Sequence, residues 1–244
     1  MNVVIVGATS AIAHETAKLY AARGERLLLV GRDATRLDAA RKDLVARGAT
    51  SIDVLTYDLS DTDVHDEIAR LSAEKLGSID VVLIAHGTLP DQELCQDDFS
   101  QIQEVLNLNA ISAISLCVAF SGRLFQQQSG TLAVISSVAG DRGRQSNYVY
   151  GTAKAAVTEF CSGLRGRART HGVHVLTIKP GMVDTPMTAH LRKGPLFATP
   201  ELVARDIVKA IRRRRNVLYT PYYWRFIMFV ICHIPEVIFM RLRF

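Results

Sequence analysis

The chain has 244 residues, 48% of them hydrophobic and 22% charged, which excludes a disordered chain and allows one large α/β core. The net charge of +5 is lopsided, because residues 205–244 hold nine Lys/Arg against two Asp/Glu and leave the remainder slightly acidic. A basic end that is also apolar and aromatic, on an acidic body, argues against a nucleic-acid-binding protein.

Asn2-Val3-Val4-Ile5-Val6 reads as a buried strand. It has no basic flank and apolar leader ahead of it, so a cytoplasmic protein is expected. Gly7-Ala8-Thr9-Ser10-Ala11-Ile12-Ala13 follows and opens a helical pattern over His14–Arg23. Such a turn presents backbone N–H groups and a positive helix end, which suits a pyrophosphate. Its small residues, with Gly7, Thr9, Ser10, Ala11 and Ile12 as the contact set, let a ligand come close. Ala11 and Ala13 stand where a dinucleotide fingerprint has further glycines, so a tight turn that binds nothing is the competing reading.

The second strand, Arg26–Val30, leads into Gly31-Arg32-Asp33. An acidic residue at the strand end would bind an adenosine ribose diol and repel a 2′-phosphate. Gly31 leaves space instead and Arg32 offers a planar cation, which favours NADP over NAD. A helix over Arg36–Arg47 and a third strand, Ser51–Tyr57, bring Asp58 and Leu59 to the same edge. Asp58 suits an adenine amine or, equally, the start of the helix over Asp61–Leu76. The fourth strand, Val81–Ala85, ends in Ile84-Ala85-His86-Gly87. Ala85 and Gly87 are expected at the cofactor and His86 in a structural role. A long helix is expected over Phe99–Gln127.

Ser137 closes the fifth strand, Thr131–Ser136, with Tyr150 thirteen residues on and Lys154 four beyond that, in a helix over Tyr150–His171. Residues i and i+4 share a helix face. An ammonium beside a phenol stabilises the phenolate and should lower its pKa from about 10 toward the range useful for acid–base chemistry. Ser137 would orient a substrate carbonyl. After the sixth strand, Val173–Ile178, the segment Gly181–Pro200 reads as a long functional loop, with Met182–Pro200 closing over substrate. Pro200–Arg215 is helical with Thr199 as cap. Cys95, Cys117, Cys161 and Cys232 lie far apart, with neither disulfide nor metal spacing.

Alternating strands and helices imply α/β architecture: a single doubly wound, Rossmann-type parallel sheet with helices on both faces. One domain over 1–244 is expected, with 222–244 as an apolar, basic C-terminal extension.

On Gly7 to Ala13, Ser136-Ser137, Tyr150-Gly151-Thr152-Ala153-Lys154 and Pro180-Gly181-Met182-Val183-Asp184-Thr185, the sequence resembles the short-chain dehydrogenases/reductases. The resemblance implies Tyr150 as the proton donor in carbonyl reduction, Lys154 on the nicotinamide ribose, and Ser137 on the substrate oxygen. It implies Asn107 in a proton relay, with Asn109 as a nearby competitor. Thr185 would bind the nicotinamide carboxamide, with Pro180, Gly181 and Val183 also at the cofactor. NADPH is the favoured cofactor and NADH the alternative, and a homo-oligomer is implied.

Ala85-His86-Gly87-Thr88-Leu89-Pro90-Asp91-Gln92, Met187-Thr188-Ala189-His190-Leu191 and the segments Arg225–Met228 and His233–Pro235 resemble decaprenylphosphoryl-2-keto-erythro-pentose reductases. That resemblance implies a polyprenyl-phosphate-linked keto sugar as substrate, a role in cell-envelope precursors, and a partner oxidase. Trp224–Ile234 is too short to span a bilayer. With Arg212–Arg215, Arg241 and Arg243 around it, it suits a membrane surface on the inner face of the cell membrane, or a partner subunit. The rival readings are a reductase of fatty-acyl or other small ketones, and a non-catalytic nucleotide-sensing protein.

Overall fold

The computed structural model describes residues 1–242. Its elements in chain order are β1 (Asn2–Val6), α1 (Ala11–Ala21), β2 (Arg26–Gly31), α2 (Ala34–Ala46), β3 (Ser51–Thr56), α3 (His65–Leu76), β4 (Val81–Ile84), α4 (Gln92–Asp97) and α5 (Phe99–Leu106). There follow α6 (Ser112–Gln127), β5 (Thr131–Ile135), α7 (Tyr148–Arg169), β6 (His174–Pro180), α8 (Pro200–Arg212), β7 (Val217–Thr220), α9 (Tyr223–His233) and α10 (Glu236–Phe239).

The strands form one parallel sheet in the order β3-β2-β1-β4-β5-β6-β7. Its inner strands are continuous apolar runs because both faces are covered. Val3 and Ile5 face the layer that includes α1 and α8, whereas Val4 and Val6 face the layer of α3, α6 and α7. The chain order reverses between β1 and β4, and a crevice opens there at the carboxyl ends of the strands.

Local signals start the helices. Ser10 Oγ accepts from Ala13 N at 3.3 Å, Asp33 Oδ1 from Arg36 N at 3.0 Å, and Thr199 Oγ1 from Leu202 N at 3.3 Å. Three features depart from the sequence expectation. The helix over 99–127 is interrupted by a π-turn at Asn107–Ile111. This stretch is apolar and long enough to cross a membrane, but just over half of its most apolar window is buried within the fold. A seventh strand, β7, pairs with β6 at the sheet edge. The C-terminal segment is not a free extension on all sides: Trp224 and Met228 of α9 are buried against Val138, with Tyr219, Ile227 and Ile231 around them. Of the arginines assigned to that segment, Arg243 lies outside the described residues.

Candidate active site

A cleft of about 440 Å³ lies over the carboxyl ends of β1 and β4 and continues across β5 and β6 to α9. Gly7, Thr9, Ser10, Ala11, Ile12, Arg32, Asp58, Leu59, Ala85 and Gly87 line one part of it. Ser137, Tyr150, Lys154, Pro180, Gly181, Val183 and Thr185 line the rest. Every sequence-predicted site residue faces this cleft except Asn107, which is exposed and points elsewhere. Asn109, two residues on, is fully buried and lines the cleft. Both lie in the π-turn Asn107–Ile111, whose extra residue per turn shifts which side chains face inward.

At one end the first turn meets the requirements of a phosphate cradle. Gly7 has φ +77°, and a Cβ there would press on the backbone of His86, so this position needs glycine. Ser10 caps only Ala13 N, which leaves the amides at the very start of α1 without helical partners. Neither Ala11 nor Ala13 obstructs the turn: Ala13 packs in the core and Ala11 forms part of the cleft wall. The two departures from the glycine fingerprint therefore do not close the cradle.

Asp33 is spent on capping α2 and does not line the cleft. Arg32 does, joined by Arg36, whose Nη2 donates to Thr9 O at 3.2 Å. Arg36 escaped the sequence reading because it lies in the first turn of α2, past the strand end where such residues are sought. Asp58 does not cap the helical segment that follows, a role taken by Asp61. The Asp58 Oδ1 accepts from Ser60 N at 3.0 Å and Ser60 Oγ at 2.8 Å, which holds its carboxyl below the usual range, and the residue still borders the cleft.

At the other end three elements converge. The short turn Val138–Gly140 approaches α7 so closely that a Cβ on Gly140 would lie 2.7 Å from Ala155 N, and one on Gly151 2.9 Å from Ala139 O. These two glycines let Ser137 face Tyr150. Lys154 Nζ donates to Ile135 O at 3.2 Å and stands 5.7 Å from the Tyr150 ring centroid. Asn109 Oδ1 accepts from Thr88 N at 2.9 Å. A Cβ on Gly87 would sit 2.5 Å from that oxygen and 3.6 Å from Lys154 Nζ, so a side chain at 87 would press on Asn109 and crowd Lys154.

The electrostatics correct one expectation. Burial pushes the Tyr150 phenol up to about 12, with Ser137 pulling partly the other way; Lys154 does not lower it. Burial also lowers Lys154 to about 8. Two neighbouring groups losing solvent outweigh their mutual influence at this separation. His86 is part-buried and borders the cleft, its Nε2 2.9 Å from Ser112 Oγ, and burial, with the charge of Lys154 behind it, holds it near 3 and so neutral at physiological pH. Among the described residues no cluster of His, Cys, Asp or Glu could hold a metal ion.

Arg144, Asn147 and Trp224 also line the cleft and were not among the sequence candidates. The indole of Trp224 lies on Gly181, and no local motif links a tail residue to a loop forty residues earlier.

A family model described as short chain dehydrogenase matches residues 1–195. An uncharacterized oxidoreductase of Mycobacterium tuberculosis is 31% identical over 240 residues, covering 98% of this chain and 96% of its own. Dehydrogenase/reductase SDR family member 7B of Danio rerio is 30% identical over 231 residues, covering 88% of this chain and 75% of its own. A short-chain dehydrogenase from Sphingobium yanoikuyae, solved in complex with NADPH, superposes with a TM-score of 0.82 at 24% identity, covering 96% of both chains.

Proposed function

The chain belongs to the short-chain dehydrogenase family of oxidoreductases, and from that premise we propose that it reduces a ketone at the expense of NADPH, with Tyr150 as proton donor. The observation that carries this reading is the convergence of Ser137, Tyr150 and Lys154 with Asn109 at the end of the cleft remote from Arg32 and Arg36. The bound nicotinamide would supply the hydride, for which no side chain is competent.

The residues of this chain account for the rest. Ser137 holds the substrate oxygen within reach of the Tyr150 hydroxyl. A phenol pushed up to about 12 stays protonated at neutral pH, so it is poised to give a proton to a developing alkoxide. Lys154 binds the nicotinamide ribose and lends positive charge as Tyr150 yields its proton. Asn109 rather than Asn107 takes the relay position, being the one of the two that lines the cleft with Lys154. Arg32 and Arg36 receive the adenosine 2′-phosphate, with Gly31 leaving it room. The NADPH bound to the Sphingobium yanoikuyae protein is consistent with that choice. Thr185 and Val183 flank the carboxamide.

Within this reaction class the substrate we favour is a ketone on an apolar carrier, a polyprenyl-phosphate-linked 2-keto-pentose of cell-envelope synthesis. Support comes from α9, which walls the substrate end with Trp224 and leaves Tyr222, Phe226 and Phe229 at 62–70% exposure on its outer side. Residues 222–244 would then rest on the inner face of the cell membrane while the loop 182–200 covers the ketone. A reductase of fatty-acyl or other small ketones is the alternative, and activity on soluble ketones after removal of the tail separates the two: the alternative requires it, the favoured reading does not.

The test is NADPH oxidation by the purified chain with a panel of soluble and lipid-linked ketones. Tyr150→Phe should abolish turnover and leave NADPH affinity intact. Unchanged turnover in that variant, or no NADPH binding by the parent, would overturn the reading.

A further inference from the structure

Ser137 opens a short turn and Asp141 closes it. Ser137 Oγ accepts from Ala139 N at 3.1 Å, and Asp141 N donates to Val138 O at 3.2 Å. The serine hydroxyl is therefore aimed by the turn, and the turn is aimed by whatever holds Asp141.

Three elements hold it. Asp141 Oδ1 accepts from Lys179 Nζ of β6, Oδ2 accepts from the Tyr219 hydroxyl of β7 at 2.8 Å, and the carbonyl accepts from Cys232 Sγ of α9 at 3.6 Å. Lys179 and Tyr219 are paired residues of neighbouring strands, so the sheet itself fixes the two side chains that meet Asp141. The Lys179 and Asp141 side chains keep only 10% and 8% of their surface. A buried ion pair adds little net stability over apolar groups of the same size, and what it supplies is a fixed position.

Arg142, the next residue, closes over the carboxyl end of α9. Its Nη1 donates to Ile231 O and Ile234 O, each at 2.6 Å, its Nη2 donates to Glu236 Oε2 at 2.7 Å, and the guanidinium lies 3.7 Å from the centre of the Phe239 ring. The last carbonyls of a helix carry its negative end and are short of partners, so a cation there seats the helix. Val138, inside the same turn, packs on Trp224 and Met228. The turn that begins at Ser137 thus grips α9 along its length.

We propose that Asp141 and Arg142 are positioning residues for Ser137: they make its turn and α9 one body, so that the seating of α9 governs how well Ser137 holds the substrate oxygen. The proposal rests on the reductase reading above. It gives the C-terminal helices a part in turnover that is distinct from walling the cleft.

The experiment compares the full chain with Arg142→Gln, Arg142→Lys, Tyr219→Phe and Glu236→Gln. The readouts are NADPH-dependent reduction of the ketone that the parent turns over fastest, and amide hydrogen exchange of the protein saturated with NADP⁺. Arg142→Gln should lower kcat about tenfold while KM for the ketone and affinity for NADPH stay within about twofold. Exchange should quicken in residues 137–141 as well as in 223–239, with the first turn, 7–13, unchanged. Tyr219→Phe keeps its ring beside α9 and removes one hydrogen bond from Asp141, so kcat should fall several-fold. Arg142→Lys keeps a cation at the helix end and should recover part of kcat. Glu236→Gln alters only the exposed partner of Arg142 and should match the parent. A raised ketone KM at unchanged kcat would make α9 a wall and nothing more. Quickened exchange confined to 223–239 would show that the turn keeps its place without the helix. Either result overturns the proposal. A parent chain that reduces no ketone would instead sink the reductase reading, and the exchange measurement would still decide the link between turn and helix.

Discussion

The indole of Trp224 lies directly on the Cα of Gly181, so that any side chain at 181 would occupy the space of the ring. One residue belongs to the loop that follows β6 and the other to a helix that begins after β7. Together they make the C-terminal segment part of the cleft.

Gly181→Ala should therefore act through Trp224. Overpacking of this kind costs about 1–3 kcal/mol, which in a chain of this size lowers the melting temperature by several degrees. In a Trp224→Leu background the same alanine should cost clearly less. Thermal melts of the four chains check this. Additive losses would show that Gly181 is needed for another reason.

Asn109 and Asn107 offer a clean comparison. Asn109→Ala removes a fully buried side chain and the acceptor of the part-buried Thr88 N–H. A loss of about 1 kcal/mol in stability is expected from the missing hydrogen bond, with a fall in kcat well beyond what that instability explains. Asn107→Ala alters an exposed side chain and should leave both within error. Steady-state kinetics on the pair decides the relay assignment; the reverse ranking would return it to Asn107.

The pH dependence of reduction follows from Lys154. Its ammonium is present below about 8 and lost above it, while Tyr150, pushed up to about 12, keeps its proton throughout. The rate should accordingly hold through neutrality and fall as pH rises through about 8. A rate that stays level up to pH 10 would show that the charge on Lys154 is not required. Arg144 and His86 do not titrate in this window, one remaining charged and the other neutral.

Cofactor choice should reside in Arg32 and Arg36. Each charge-assisted contact to a 2′-phosphate is worth about 1.5–3 kcal/mol, or roughly tenfold to a hundredfold in affinity. Arg32→Ala and Arg36→Ala should weaken NADPH by such factors while changing NADH little. Fluorescence titration with both nucleotides measures the ratio. Equal losses for the two would place these arginines on the adenine or the pyrophosphate instead.

Six of the seven strands were legible to within two residues at each end: the inner five because a parallel strand buried on both faces is a continuous apolar run, and the edge strand β3 through the alternation of Ile52 and Val54 about Asp53. The seventh was not: Val217–Thr220 is short, lies at the sheet edge and exposes Val217, so it lacks that signature. Ser137, Tyr150 and Lys154 were legible because one strand end and one helix turn set their separation. Asn109 could not be told from Asn107, since two asparagines two residues apart fit any smooth helix and a π-turn leaves no compositional mark. Arg36, Arg144 and Trp224 come from a helix, a loop and the tail that meet only in the folded chain. The faint signal for Trp224 was its being the chain's one tryptophan, set in an apolar helix opposite a Pro-Gly turn.

The placement of α9 separates two kinds of inheritance within one chain. The nucleotide cradle is made chiefly by β1, β2 and β4 and the residues that follow them, strands that each have a neighbour on both sides. The opposite wall hangs on a helix beyond the sheet edge, held by Trp224 and Met228. Drift in the sequence of that helix can reshape what is reduced while the reductant stays the same. Among descendants of this chain, appetite for substrate should thus diversify fastest in the region after Thr220, with the strands and the first turn changing least.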